Sequence, residues 1–171
     1  MNVRAYQESD FEELAGLYRD FFNEMRDWQG WEQLKLGKKE ATETAAESLG
    51  SNSRVFVAED RNKLMGFARV QFWDGAYFVR EVFVARPYRK TGMGTELLRI
   101  CEDLVRKEGE TSIYLTVEPK HSVSLQFLIR NGYDTLNMLE LRKELVETDF
   151  PERAGQVEIL NHKLRLLKRR L

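Results

Sequence analysis

The chain has 171 residues, of which 42% are hydrophobic and 32% charged, and its formal net charge is −1. This length and composition predict one soluble domain with an appendage, and the apolar runs are shorter than the roughly 18 residues that a membrane span needs. Cys101 is the single cysteine, which excludes an internal disulfide and a cysteine-based metal cluster. With no apolar signal core at the amino end, these features predict a cytoplasmic protein.

Charge is distributed unevenly along the chain. Residues 1–60 carry seven Lys and Arg against thirteen Asp and Glu, a balance of about −6, which leaves about +5 for the rest. A basic half suits an anionic cofactor and an acidic half suits a cationic substrate, although charge runs are most often solvated faces. The asymmetry therefore supports a function only together with other signals.

The first half of the chain predicts a strand and two helices, followed by three strands in series. Asp74-Gly75 is a strong signal for a two-residue hairpin turn between the last two of these strands. The predicted elements are a strand over 3–6, a helix with the apolar face Leu14, Leu17, Tyr18, Phe21 and Met25, a helix over 38–49, and strands over 54–59, 64–73 and 76–85.

The second half begins with a helix whose hydrophobic period is about 3.6. Its apolar face holds Leu97, Leu98, Cys101, Leu104 and Val105. Because this helix separates two strands, we expect those strands to be parallel neighbours joined by a right-handed crossover. The remaining predicted elements are a strand over 112–117, a short helix through Leu125, Leu128 and Ile129 that ends at Asn131-Gly132, and a closing strand over 133–145.

The end of the chain is predicted to be an appendage to this core. Apolar residues recur there at alternating spacings of three and four, which predicts an amphipathic helix. They are Val157, Leu160, Leu164, Leu167 and Leu171, and the basic residues among them are Lys163, Arg165, Lys168, Arg169 and Arg170. We therefore expect one domain over 1–145 and a linker with a basic helix over 146–171, which packs on the core or on a second subunit rather than on nucleic acid.

A basic glycine turn carries the strongest functional signal. Gly92 and Gly94 follow a β-branched run and precede a helix, an order that suits the binding of a phosphate ester by backbone N–H groups and a helix N-terminus. The turn is not G-x-x-x-x-G-K-[ST], because no Lys-Ser/Thr pair follows the second glycine, and it is not G-x-G-x-x-G, because Leu97 takes the place of the third glycine. Nucleoside triphosphate and dinucleotide sites are thus disfavoured.

The remaining pattern, Arg89-x-x-Gly92-x-Gly94, resembles the pyrophosphate loop of the GNAT superfamily of acyl-CoA-dependent N-acetyltransferases. A second segment, Ser124-Leu-Gln-Phe-Leu-Ile-Arg-Asn-Gly132-Tyr133, is similar to the family's helix that usually reads A-L-x-F-Y-x-x-x-G-F. The resemblance covers about residues 2–145. It implies an α+β fold in α/β/α layers, with a mixed, mostly antiparallel sheet whose central parallel strands splay apart.

The resemblance also implies a cofactor and the residues that hold it. Acetyl-CoA would be the co-substrate, with no metal, and a primary amine would attack its thioester directly. The backbone of Val82, Phe83 and Val84 would bind the pantetheine arm and the thioester carbonyl, since splayed strands leave N–H groups that need acceptors. The pyrophosphate would lie on Arg89, Lys90, Thr91, Gly92, Met93, Gly94 and Thr95.

Two residues are candidates for proton transfer. An alkyl ammonium has a pKa of about 10 and must lose a proton before attack, so a base is required. Glu81 lies on the thioester-binding strand and is the first candidate, directly or through a water; the alternative is a strand residue that faces solvent or pairs with Arg69 or Arg80. His121 takes the place of an asparagine that contacts the pantetheine arm in the family, and it is either a cofactor or proton-transfer residue or a helix cap.

The family's usual general acid is missing from its expected position. Leu128 stands where the resemblance implies a tyrosine that protonates the leaving thiolate. Water, Tyr133, Tyr114 or Tyr88 could serve instead, and the spacing favours none of them. Thr116 stands where some members carry an acidic residue, so a base from that strand is not expected.

The acceptor and the partners stay open at this stage. The region of the first helix holds aromatic and acidic side chains that suit an amine through cation–π and ion-pair contacts, or that belong to the core and a solvated face. They are Phe21, Phe22, Trp28, Trp31, Asp20, Glu24, Asp27 and Glu32. Besides an N-acetyltransferase, as a monomer or a homodimer, the sequence allows an acyl-CoA-binding regulatory module of weak activity, or an assembly or nucleic-acid role of the basic tail.

Overall fold

The computed structural model describes residues 2–29, 34–141, 143, 145 and 153–167. The elements in chain order are β1 (Asn2–Ala5), α1 (Phe11–Gln29), α2 (Lys38–Ser48), β2 (Ser53–Asp60), β3 (Lys63–Trp73), β4 (Ala76–Val84), α3 (Met93–Lys107), β5 (Tyr114–Leu115), α4 (Ser122–Arg130), β6 (Arg153–Ile159) and β7 (His162–Leu167).

The first five strands form one mixed sheet in the order β1-β2-β3-β4-β5. The pairs from β1 to β4 are antiparallel, and β4 and β5 are parallel with α3 as the crossover between them. Asp74 and Gly75 join β3 to β4 with φ angles of 49° and 79°, as a type I′ hairpin turn requires. The predicted α+β fold with a mostly antiparallel sheet is confirmed.

Both faces of this sheet are covered. On one face α1 contributes Leu14, Leu17 and Tyr18 to a cluster with Phe67 of β3 and Phe83 of β4. Neighbouring strand residues point to opposite faces, so Ala68, also fully buried, belongs to the face on which α3 packs. Cys101 is fully buried on α3, and burial raises the pKa of its thiol to about 12, which fits the predicted packing role.

A β-bulge interrupts β4 in the middle. Arg69 of β3 pairs with Glu81, but the next residue, Val70, pairs with Val79, so Arg80 is an extra residue on β4. On its other side β4 pairs with β5 only at Phe78–Tyr114 and Val79–Leu115. The part of β4 after the bulge therefore has no strand partner on that side among the described residues.

Two strand predictions differ from the structure. The strand predicted over 112–117 is paired only at Tyr114–Leu115. The closing strand predicted over 133–145 is wrong, because none of its described residues forms a ladder and the apolar side chains there are exposed: Leu136, Met138, Leu139, Leu141 and Leu145. Apolar alternation indicates a strand only where a second strand supplies the backbone hydrogen bonds.

The predicted C-terminal helix is also wrong. β6 and β7 form an antiparallel hairpin, with Val157 opposite Leu164 and Ile159 opposite His162. Leu160 and Asn161 make its two-residue turn, with φ angles of 51° and 65°. The apolar residues of this segment fit the two-residue period of a strand as well as the three-to-four spacing of a helix. The two-residue turn favours the hairpin. Lys168, Arg169, Arg170 and Leu171 lie outside the described residues.

The chain divides into two compact units. The first comprises Met1–Trp28 and Glu32–Thr116, and the second comprises Gln29–Trp31 and Val117–Leu171. The predicted domain boundary after residue 145 falls inside the second unit and stays a prediction. In the described part of the chain, no helix has the length and apolar character that crossing a membrane demands.

Candidate active site

The free edge of β4 exposes main-chain hydrogen-bonding groups. The N–H of Ala85 donates to the carbonyl oxygen of Met65 at 2.8 Å, so Met65 and Ala85 form a hydrogen-bonded pair of the β3–β4 ladder. Because hydrogen-bonded and non-hydrogen-bonded pairs alternate in an antiparallel ladder, the N–H and C=O of Val82 and Val84 point away from β3. They face the side on which β5 has already ended. The side chain of Phe83 is buried in the core, whereas those of Val82 and Val84 are half-buried.

The glycine turn leads from this edge into α3. Gly92 is the N-cap residue of α3 and has φ 87°, a left-handed conformation that a glycine adopts at little cost. The first helical hydrogen bond runs from the N–H of Glu96 to the carbonyl oxygen of Gly92 at 3.1 Å. The N–H groups of Met93, Gly94 and Thr95 precede that bond and have no acceptor within the helix. Since Gly92 has no side chain, no capping group competes with a ligand for them.

The loop before the helix is held by its own side chains. The hydroxyl of Thr91 donates to the carbonyl oxygen of Tyr88 at 2.7 Å. Lys90 has φ 63°, an uncommon conformation for a residue with a side chain, and its side chain is exposed. The turn is thus a defined conformation, with an exposed lysine close in the chain to the available N–H groups at the start of α3.

Arg89 is engaged by protein groups instead of pointing freely into the loop. Its Nε donates to the carbonyl oxygen of Val84 at 2.7 Å, and its terminal nitrogen donates to Glu24 Oε2 at 2.8 Å. Glu24 Oε1 also lies 3.2 Å from Nε of Arg86. The carboxylate of Glu24 therefore links α1 to the beginning of the glycine turn. Arg89 binds the carbonyl oxygen of Val84, which is one of the main-chain groups expected to bind pantetheine.

Glu81 forms a bidentate ion pair with Arg69. Arg69 Nε lies 2.6 Å from Glu81 Oε2, and a terminal nitrogen of Arg69 lies 2.7 Å from Oε1. The two side chains are 14% and 12% exposed. Burial lowers the pKa of Arg69, but the hydrogen bonds and charge of Glu81 outweigh it, so that this pKa is raised above its usual value. Glu81 is thus paired with Arg69, and its role as a base stays a prediction.

Tyr18 lies beside this ion pair. Its side chain is 1% exposed, and its hydroxyl lies near Ser48 and Arg69 without a hydrogen bond of good geometry to a described residue. Burial, followed by the nearby charge of Glu81, raises the pKa of Tyr18 above its usual range. Tyr18 is therefore a neutral phenol. The helical period of the sequence predicts only that Tyr18 lies on the apolar face of α1.

His121 and Leu128 belong to the second unit. His121 is the N-cap residue of α4, is half-buried, and makes no side-chain capping bond. Leu128 is 4% exposed on the same helix. Because Glu81 lies in the first unit, the placement of His121 as a site residue stays a prediction.

Most of the α1 side chains considered for acceptor binding have structural contacts. Phe21 and Phe22 pack against the core cluster, and Phe21 lies edge-on to Phe83 with ring centroids 5.8 Å apart. Asp27 lies 2.9 Å from Lys35. Trp28 is 41% exposed. Trp31 and Glu32 lie outside the described residues.

The bulge at Arg80 and the link through Glu24 were not predicted from the sequence. The only signal for the bulge was a break in alternation at Val79-Arg80-Glu81-Val82, which interrupts the strand pattern on either side. The Glu24 link joins residues far apart in the chain, so local patterning gives no signal for it.

A mixed sheet that opens at its parallel pair, next to a glycine turn and a helix N-terminus, is the arrangement that the resemblance to the GNAT superfamily implies. The sequence model described as the Acetyltransferase (GNAT) family matches residues 12–133. The chain belongs to this family, as the resemblance predicted.

Individual relatives agree with the family. The chain is 30% identical over 94 residues to the streptothricin acetyltransferase of Streptomyces lavendulae, a match that covers 53% of this chain and 50% of that protein. The chain thus spans about half the length of this curated relative.

Two solved structures share the fold. A structure of AAC(6')-Iy with the bisubstrate analogue CoA-S-monomethyl-acetylneamine has a TM-score of 0.67 and 14% identity, over 85% of this chain and 98% of that one. The paia N-acetyltransferase of Thermoplasma acidophilum in complex with coenzyme A has a TM-score of 0.60 and 18% identity, over 77% and 89% of the two chains.

Proposed function

We propose that the protein is an N-acetyltransferase that transfers the acetyl group of acetyl-CoA directly to a primary amine. The observation that carries the proposal is the free edge of β4 beside the glycine turn, where the main chain of Val82 and the N–H of Val84 have no strand partner among the described residues. The family match supports acetyl-CoA as the donor. The similar proteins with coenzyme A bound support the same cofactor.

Each part of the site then has a separate role. The N–H groups of Lys90 to Thr95 and the charge of Lys90 hold the pyrophosphate at the N-terminus of α3. The main chain of Val82 and the N–H of Val84 bind the pantetheine arm and the thioester carbonyl, whose oxygen gains charge as the amine attacks. Arg89 holds the end of β4 to the turn through Val84 and Glu24.

The reaction needs one proton to leave the amine. The nitrogen lone pair forms the new C–N bond, the C–S bond breaks, and its electron pair leaves on the sulfur of coenzyme A. Both oxygens of Glu81 are engaged by Arg69, and Leu128 provides no acid. We assign to Glu81 the role of stabilising the bulge through its ion pair with Arg69. We assign to water the role of accepting the ammonium proton. The rate should then rise with the free-amine fraction, and Glu81→Gln should keep the pH–rate profile of the parent.

The test uses two glycines at opposite ends of α3. Gly92 and Gly109 have φ angles of 87° and 86°, and an added Cβ meets nothing within 4 Å at either one. Ala at each position costs roughly 1 kcal/mol of folding free energy through backbone strain, but only Gly92 lies in the turn.

Calorimetry with acetyl-CoA should show a loss of affinity of about tenfold or more for Gly92→Ala, because a shift of the turn misdirects its N–H groups. Gly109→Ala should bind as the parent does. Equal affinities of the two variants, or a parent that does not bind acetyl-CoA, would contradict the proposal. Amine-dependent release of the coenzyme A thiol then separates an enzyme from a module that only binds acyl-CoA.

A further inference from the structure

Arg80 lies over a row of aromatic side chains on the face of the sheet against which α1 packs. Phe67, Arg69, Gln71 and Trp73 alternate along β3 and therefore share the face that α1 covers at Phe67. Trp73 of β3, Phe78 of β4 and Tyr114 of β5 form a continuous row, with successive ring centroids 5.9 and 5.4 Å apart. Trp73 is 55% exposed, so α1 does not reach this end of the sheet.

Arg80 is held above this row by three contacts. Its guanidinium carbon lies 5.3 Å from the ring centre of Trp73 and 5.0 Å from that of Phe78. Its Nε donates to Gln71 Oε1 at 2.8 Å. These contacts fix the plane of the guanidinium and reduce the rotamer entropy that a ligand would otherwise have to overcome.

Within the described part of the chain, the two terminal nitrogens of Arg80 have no partner of opposite charge. Its neighbour on the same face, Arg69, is neutralised by Glu81, whereas no carboxylate lies within 4.0 Å of Arg80 among the described residues. A planar guanidinium with both terminal nitrogens available matches the two oxygens of a carboxylate. The site is therefore complementary to a carboxylate rather than to a cation.

The position of Arg80 on the bulge places this group next to the proposed reaction centre. Arg80 precedes Glu81 and lies two residues before Val82, about 7 Å along the strand. The opposite face of β4 is covered by α3. An acceptor that approaches the thioester edge from the open side of the sheet thus passes Arg80.

We propose that the acceptor is an amine that also carries a carboxylate, as a free amino acid does, and that Arg80 binds this carboxylate. The proposal rests on the proposed function, because it concerns the acceptor of the same reaction. The α-amino group attacks the thioester carbon, the C–S bond breaks, coenzyme A leaves as the thiolate, and water takes the ammonium proton. Arg80 takes no part in the proton transfer and acts on specificity.

The test compares amines that differ only in the carboxylate. Thiol release is measured with tyrosine against tyramine and with leucine against isopentylamine, and each rate is divided by the free-amine fraction at the assay pH. Spermidine serves as a polycationic acceptor. We expect the carboxylate-bearing member of each pair to have the higher kcat/KM, by about tenfold or more.

Variants assign that preference to Arg80. Arg80→Gln should remove the preference through a raised KM for tyrosine and leave tyramine unchanged, and Arg80→Lys should recover only part of it. Arg54→Gln is the matched control, since Arg54 lies on β2 and, among the described residues, donates to the carbonyl oxygens of Ser51 and Ser53. It should behave as the parent.

A binding measurement keeps this test independent of turnover. Trp73 lies under Arg80, so tyrosine or leucine added with coenzyme A should change tryptophan fluorescence in the parent but not in Arg80→Gln or Trp73→Phe. Faster turnover of spermidine or tyramine than of tyrosine, or no amino-acid binding to a protein that binds acetyl-CoA, overturns this inference. Failure to bind acetyl-CoA instead overturns the proposed function.

Discussion

Arg69 and Glu81 face each other across β3 and β4 at the residue pair that adjoins the β-bulge. Their bidentate ion pair connects the two strands on the α1 face, and Arg69 also donates to Ser53 Oγ of β2 at 3.2 Å. Immediately before Glu81 in the chain, β4 takes up Arg80 as an extra residue, and the pairing of β4 with β5 ends at Val79. The ion pair thus lies where the sheet opens.

The first prediction concerns this ion pair. Glu81→Gln leaves the largely buried Arg69 without its counter-charge and should lower the free energy of unfolding by about 1–3 kcal/mol. It should also weaken acetyl-CoA binding, because the bulge that frees Val82 becomes less well defined. Urea denaturation and calorimetry measure the two effects.

A double-mutant cycle separates the pair from either side chain alone. Arg69→Met with Glu81→Leu removes both charges and should recover much of the stability lost in each single variant. If Glu81→Gln retains full stability and affinity but loses turnover with a changed pH–rate profile, Glu81 is a base and its assignment to the bulge is wrong.

The second prediction tests the hairpin of β6 and β7. Leu160 is 86% exposed and holds φ 51° in the turn, a conformation in which leucine is strained. Replacing Leu160-Asn161 by Asn-Gly should stabilise the hairpin by about 1 kcal/mol, because this pair is the favoured type I′ turn. Amide hydrogen exchange of β6 and β7 should slow accordingly. Faster exchange and a loss of helical circular dichroism would instead indicate a helix, which glycine destabilises.

The third prediction concerns stability in acid. Arg4 binds both oxygens of Asp10, at 2.7 and 2.9 Å, and Asp10 is 7% exposed. The hydrogen bonds from Arg4 are the main cause that lowers the pKa of Asp10 below its usual 3.8, against the opposing effect of burial. This stabilisation is therefore present above pH 3.8 and is lost as the pH falls through the lower folded-state value.

The matched variant is Asp10→Asn, which cannot ionise. It should be less stable than the parent at pH 7. The difference in the free energy of unfolding should shrink as the pH falls below the pKa of the carboxyl group in the unfolded chain. Denaturation at a series of pH values measures this difference. A difference that does not change with pH would show that the charge of Asp10 contributes nothing.

Local signals in the sequence predicted much of the fold and the position of the glycine turn. Gly92 was recognised because a tight turn into a helix needs a positive φ, and Asp74-Gly75 because a type I′ turn favours these residues. Cys101 followed from the 3.6-residue period of α3. Each of these features depends on residues within a few positions of one another, so the sequence alone indicates it.

Long-range pairing decided the remaining features. The bulge at Arg80, the ion pair of Glu81 with Arg69 and the engagement of Arg89 by Glu24 each join separate elements of the chain. The apolar pattern around Val157 and Leu164 fits a helix and a hairpin alike, and only the partner strand resolves it. The sequence by itself indicated the family of the protein, because the residues that carry the resemblance lie in two short segments. Tertiary structure alone decided which charges are neutralised, because a charge is paired only by residues that folding brings beside it.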